Sequence, residues 1–194
     1  MNAAVERTET VDETLRLTLE LVAATYRTPD AALRADLAGG AFAVALAEVA
    51  HATGVAVPAL ADVGWTAIEV AHVALFVTNP RRVPAPPYVG FAADDELLGP
   101  TAEALGAFLR HHGVEVRAGW GDLPDHVAAV AEAGALLTNA GRTDAARVLA
   151  AAYLLPWFER YAPAVVAADD SGFYGPLSEF FRSVMSEVAR EDAA

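Results

Sequence analysis

Apolar residues recur at helical spacing along most of the chain, and one cluster of prolines interrupts them. Pro80, Pro84, Pro86 and Pro87 all fall between Asn79 and Phe91. Proline lacks the N–H a helix interior needs and drives the residue before it toward extended backbone, so this stretch is expected to cross the surface as an extended loop. With Val83, Tyr88, Val89 and Phe91 it is too apolar for a disordered linker, so an ordered loop is expected over about 79–91.

The spacing on either side predicts helices. Thr10 and Glu13 form a capping-box pattern, and Val11, Leu15, Leu19, Val22 and Tyr26 follow on one face, giving a first helix that ends before Thr28-Pro29-Asp30. Asp30 caps a short second helix stopped by Gly39-Gly40, a third runs from about Ala41 to Ala52, and a fourth from roughly Ala59 to Val77. Beyond the loop, helices are predicted from Pro100 to His112, from Leu123 to Asn139 with Asp122 as cap, and from Thr143 or Asp144 through Trp157, with a kink or break at Pro156. A last helix carries Phe173, Leu177, Phe180, Phe181, Val184 and Val188. No alternating segment is bounded by hairpin turns, so 194 residues are expected to form an all-α, single-domain helical bundle.

A hydrophobic content of 55% and a mean hydropathy of +0.31 would suit a membrane protein if the apolar residues were contiguous. Glu48, His51, Glu69 and His72 interrupt the most apolar stretches, and much of the excess is alanine, so no stable membrane insertion is expected. The segment Met1 to Arg7 shows no basic region leading into an apolar stretch, which points to the cytoplasm. The absence of cysteine removes disulfides, thiolate nucleophiles and thiolate-bound metals. A net charge of −13 argues against a nucleic-acid partner, and the one adjacent basic pair is Arg81-Arg82. An acidic surface suits a basic partner; because all 13 basic residues are arginine, it equally fits a base-composition bias or a salty cytoplasm.

Candidate chemistry is sparse. Glu48-Val49-Ala50-His51 and Glu69-Val70-Ala71-His72 each place a carboxylate and an imidazole on one helix face, the pairing found in di-iron bundles, so a metal-dependent helical enzyme is the alternative reading. Such a site needs a glutamate from each of two further helices, and nothing marks Glu20, Glu103 or Glu132 for that role. His111-His112 precede Gly113 and suit a helix C-terminus, and adjacent helical residues point about 100° apart. No nucleophile elbow and no phosphate-binding glycine loop is present, so neither catalysis nor a cofactor is expected. A regulatory ligand-binding domain is a third class, and it would require a closed apolar pocket.

One ordered series points elsewhere: Leu75-Phe76, Pro84-Ala85-Pro86-Pro87-Tyr88, Leu98-Gly99, Pro124-Asp125-His126, Asn139-Ala140-Gly141-Arg142, Leu154-Leu155-Pro156-Trp157 and Phe173-Tyr174-x-x-Leu177. Over about Trp65 to Phe181 it resembles the TorD/DmsD/NarJ group of redox-enzyme maturation chaperones, closest to the DmsD type. The resemblance implies a non-catalytic partner for the twin-arginine leader and apo form of a molybdopterin oxidoreductase catalytic subunit, acting as monomer or homodimer. It also implies a leader-binding region at Pro86, Pro87, Tyr88, Pro124, Asp125 and His126, with Leu75 and Phe76 lining the same cleft, between the proline loop and the helix opening at Pro124. A leader with two arginines before an apolar stretch calls for a carboxylate beside an apolar groove; Asp125 is the expected carboxylate, and Tyr88 with Leu75 the expected apolar wall. The chain departs from many relatives in having Val89-Gly90 after Tyr88, and Val130 where some carry an acid, with Glu132 nearby. The guanine-nucleotide binding of some relatives does not carry over, because the phosphate loop is missing.

Overall fold

The computed structural model describes residues 2–77, 83–115 and 121–191, with side chains from Val11 to Arg190. Asn79, Pro80 and the pair Arg81-Arg82 lie outside the described residues. The elements are α1 (Asn2–Tyr26), α2 (Ala31–Gly39), α3 (Ala41–Thr53), α4 (Trp65–His72), α5 (Val89–Asp94), α6 (Pro100–His111), α7 (Val127–Asn139), α8 (Thr143–Leu149), α9 (Leu155–Ala168) and α10 (Tyr174–Glu191). Wider π-helical turns follow α4 at Val73–Val77 and join α8 to α9 at Ala150–Leu154. The described residues form no strand, and their one β-bridge pairs Tyr88 with His126. The fold is all-α, as the periodicity predicts.

Several boundaries differ from the sequence expectation, each for a local reason. α1 begins at Asn2, well before Thr10, because Ala3, Ala4 and Glu6 favour helix as strongly as the residues after them. α4 begins at Trp65 instead of Ala59: Gly64 is extended at φ −66° and ψ 150°, and the Ala61 N–H bonds to the Gly172 carbonyl at 3.2 Å, tying this segment to the α9–α10 turn. The extended loop gives way to α5 at Val89, directly after the last proline. α7 begins at Val127 and not Leu123, since Pro124 turns the chain and the His126 N–H bonds to the Leu123 carbonyl. Its cap is therefore His126, whose Nδ1 accepts from Ala128 N–H at 3.2 Å, and not Asp122. Asp30 caps α2 as expected, accepting from Leu33 N–H at 2.9 Å. Pro156 does not break its helix. The Leu155 N–H reaches back five residues to Ala150, a π-turn that absorbs the missing donor.

The core gathers around α1. Tyr26 is fully buried, its ring 5.1 Å from Trp157, 5.5 Å from Phe76 and 5.7 Å from Phe158, and its hydroxyl lies 2.7 Å from Ser178 Oγ. Ser178 Oγ in turn donates to the Tyr174 carbonyl, so Tyr26 is the donor in that pair and α1 is hydrogen-bonded into α10. α1 packs chiefly on α7, and α9 on α10. Gly134 lets Leu19 sit close in the α1–α7 contact, since a Cβ there would come within 2.9 Å of Leu19 Cδ1. Trp157, also fully buried, donates its indole N–H to the Pro86 carbonyl at 2.8 Å and pins the proline segment to the core.

Trp157→Phe keeps an aromatic ring in place but leaves the Pro86 carbonyl without a donor. The expected cost is about 1–3 kcal/mol in chemical denaturation, with helical content by circular dichroism unchanged.

Candidate functional site

The residues marked by the sequence series meet at the head of α7. Extended backbone at Pro87–Tyr88 lies against Asp125–His126: Val127 N–H donates to the Pro87 carbonyl at 2.7 Å and Val89 N–H to the Asp125 carbonyl at 2.9 Å. Gly90 N–H donates to Asp125 Oδ2 at 3.2 Å, an approach that only glycine permits, since a Cβ at Gly90 would stand 2.9 Å from that oxygen and 3.0 Å from Ala102 Cβ. The Tyr88 ring stands edge-on to His126 at 5.8 Å, and its hydroxyl donates to Asp122 Oδ1 at 2.9 Å. Tyr88, Pro124, Asp125 and His126 are therefore neighbours, as the resemblance implies.

Their exposure differs from that expectation. The proline segment and the Pro124 turn are bonded to one another, so no cleft separates them. Leu75, Phe76, Pro86, Pro87, Asp125 and His126 are buried, which leaves Pro124 exposed and Tyr88 half-buried. Asp125, expected to face a cleft as a carboxylate, is 2% exposed, with Oδ1 lacking a partner among the described residues. Burial raises its pKa against the pull of the Gly90 N–H. Burial likewise pushes the Tyr88 phenol up to about 12.

The paired Glu-x-x-His motifs do not converge. Glu48, His51 and Glu69 are exposed, His72 is buried, and among the described residues no group of three or more His, Asp or Glu side chains is arranged to hold a metal ion. His72 packs on Phe76 and Tyr174, with Nδ1 lacking a partner among the described residues.

A groove of about 650 Å³ opens on the other side of Pro124, between α1, the end of α6 and α7. Ala24, Ala128 and Ala133 form part of its floor, and Leu109, Val114 and Leu136 its apolar walls. Glu20, Glu115 and Glu132 contribute three carboxylates, against one guanidinium from Arg27. Arg27 is held by Asp30 at 3.2 Å and Glu20 by Arg16 at 2.5 Å, whereas Glu115 and Glu132 have no ion-pair partner among the described residues. Val130 is fully buried, so Glu132, two residues on and exposed, supplies the acid on this side of α7. The sequence did not single out this groove, because α1 and α7 are more than a hundred residues apart and only their packing brings Glu20 and Glu132 to one opening.

The family model for the nitrate reductase delta subunit matches residues 32–162, from α2 into α9. The chain belongs to the nitrate reductase delta subunit family. Its members are NarJ/TorD-type chaperones and not catalysts. The matched span holds α6, α7 and the proline segment, while Glu20 on α1 precedes it. Among solved structures, one assigned as a redox enzyme maturation protein from Archaeoglobus fulgidus aligns with a TM-score of 0.61 at 18% identity, over 88% of this chain and 93% of that one. At that identity the likeness establishes the shared fold of this family member. The search of curated proteins returned no match. Among the described residues, no helix is long and apolar enough to cross a membrane.

The two buried histidines make part of the fold's stability depend on pH. Burial, and secondarily His126, lowers the His72 pKa from 6.5 to about 4, and burial lowers that of His126 against the pull of Asp122. Both stay neutral in the fold while the unfolded chain protonates them, so the stability they contribute is present above about pH 6.5 and is lost as pH falls toward the folded pKa. Asp125, with its raised pKa, acts in the opposite sense at lower pH. In urea titrations at pH 7 and pH 5, wild type is expected to lose about 2 kcal/mol more than His72→Leu between the two conditions.

Proposed function

We propose that this chain holds the twin-arginine leader, and with it the apo form, of a molybdopterin oxidoreductase catalytic subunit in the cytoplasm until the cofactor is inserted and export proceeds. Family membership supports the chaperone role, and the fold shared with a redox enzyme maturation protein supports the class of client. The observation that carries the leader assignment is the α1–α6–α7 groove, in which apolar walls stand beside the carboxylates of Glu115 and Glu132, which have no ion-pair partner among the described residues. A leader offers the complement, arginines followed by an apolar stretch. The apolar part removes its surface from water against Leu109, Val114 and Leu136, and the arginines find charge-assisted partners at the rim.

In this reading Pro124 touches the leader directly and Tyr88 flanks it. The buried Asp125, His126, Pro86 and Pro87 hold the turn that presents Pro124, and the Leu75 carbonyl, next to the buried Phe76, holds the proline segment through the Ala85 N–H. The protein's charge of −13 adds long-range attraction for a basic segment, which speeds encounter at low salt.

The test is calorimetric titration with a synthetic twin-arginine leader peptide. Replacing both Glu115 and Glu132 by Gln is expected to weaken binding about 5- to 10-fold and to flatten its salt dependence. An affinity and salt slope equal to wild type would remove the groove from the account.

A further inference from the structure

We infer that the outer face of α4 and of the π-turn that follows it is a self-association surface, on which a second copy of this chain packs. Over Trp65 to Val77 the buried side chains are Ile68, His72, Leu75 and Phe76, which seat the segment on the core. The opposite side carries Val70 at 64%, Val73 at 51% and Val77 at 53% exposure, with the exposed Ala74 among them. Three of the ten large apolar side chains left exposed among the described residues thus fall within eight consecutive positions. Singly scattered valines on a surface need no explanation, but a stripe at helical spacing is the pattern of a face that a second helix covers. Glu69 is the one acid or base in the sequence from Trp65 to Val77, so the stripe carries almost no charge of its own.

Charge selects the occupant. The 31 residues from Val63 to Ala93 hold one acid, Glu69, and two arginines, Arg81 and Arg82, a net charge of +1, so the remainder of the chain carries −14. A basic partner is drawn toward that acidic remainder. A partner as acidic as this chain is repelled by it and is steered to the stretch that escapes the repulsion, where the stripe lies.

A second copy also supplies the matching shape. Packed antiparallel about a two-fold axis beside Ala74, Val70 of one copy meets Val77 of the other, and the contact repeats itself on both sides. Valine has little rotamer freedom to lose when it is covered, which lowers the cost of pairing. The face is about 20 Å long at the helical rise, and two such faces bury well under the roughly 1,600 Å² of a standard interface. Self-association is therefore weak, with a dissociation constant on the order of 10–100 µM. None of these residues lines the groove between α1, α6 and α7, so the inference stands apart from the leader reading.

The experiment is sedimentation velocity on the full chain, wild type and Val70→Glu, up to about 500 µM protein and at low and high potassium chloride. Wild type is expected to pass from monomer to dimer, and to do so at lower concentration in high salt, because salt screens the repulsion between copies. Leader binding has the opposite salt dependence, which separates the two events. Val70→Glu sets an unpaired carboxylate against valine and is expected to weaken the dimer at least tenfold, with circular dichroism and leader affinity unchanged. The chain holds no cysteine, so Ala74→Cys provides a single thiol at the middle of the stripe. Mild oxidation is expected to link Ala74→Cys into dimers, whereas Val148→Cys, at an exposed position on α8, stays monomeric. Wild type that remains a monomer throughout, self-association that Val70→Glu leaves unchanged, or cross-linking no faster at position 74 than at position 148 would each overturn the inference. So would a monomer that floats with anionic lipid vesicles and loses that ability in Val70→Glu, a result that would give this face to a membrane surface.

Discussion

Burying a proline-rich segment strands its carbonyls, because the prolines bring acceptors and no donors, and the rest of the molecule is arranged to answer them. The Pro86 carbonyl takes the Trp157 indole and the Pro87 carbonyl takes the Val127 N–H. Ala85, the one residue of that run with an N–H, gives it to the Leu75 carbonyl. These three bonds fix α9, the head of α7 and the π-turn after α4 around one strip of extended backbone. They also place the Pro124 turn, and so one end of the groove. The Asp125 carboxylate completes the junction by accepting from Gly90, and the protein tolerates a buried acid there in return for anchoring α5.

Much of the fold was legible because helical periodicity is local. The apolar face of α1, the Asp30 cap and the glycine after α2 were each readable within a few residues. The boundaries that moved depend on distant partners. Gly64 is extended because the segment before it is tied to Gly172, and α7 starts late because Asp125 and Val127 bond to the proline segment. No window of sequence contains those contacts.

At the site, the sequence identified a neighbourhood and not its surface. Tyr88, Pro124, Asp125 and His126 do meet, yet most of that cluster faces inward and serves as a joint. The groove beside it is made by packing α1 on α7, with Gly134 letting Leu19 close in, and its acids, Glu115 and Glu132, carried no motif that would mark them. The paired Glu-x-x-His motifs show the converse: a spacing that suits metal chemistry, on helices that leave three of the four side chains in water.

The most direct test of the central claim, that a basic apolar leader occupies the groove between α1, α6 and α7, is an amide chemical-shift map of the protein titrated with leader peptide. The account predicts perturbations concentrated at Val114, Glu115, Ala128, Glu132 and Leu136, with α2 and α3 silent. Perturbations confined to the α5–α6 turn, or scattered without a focus at saturating peptide, would contradict it.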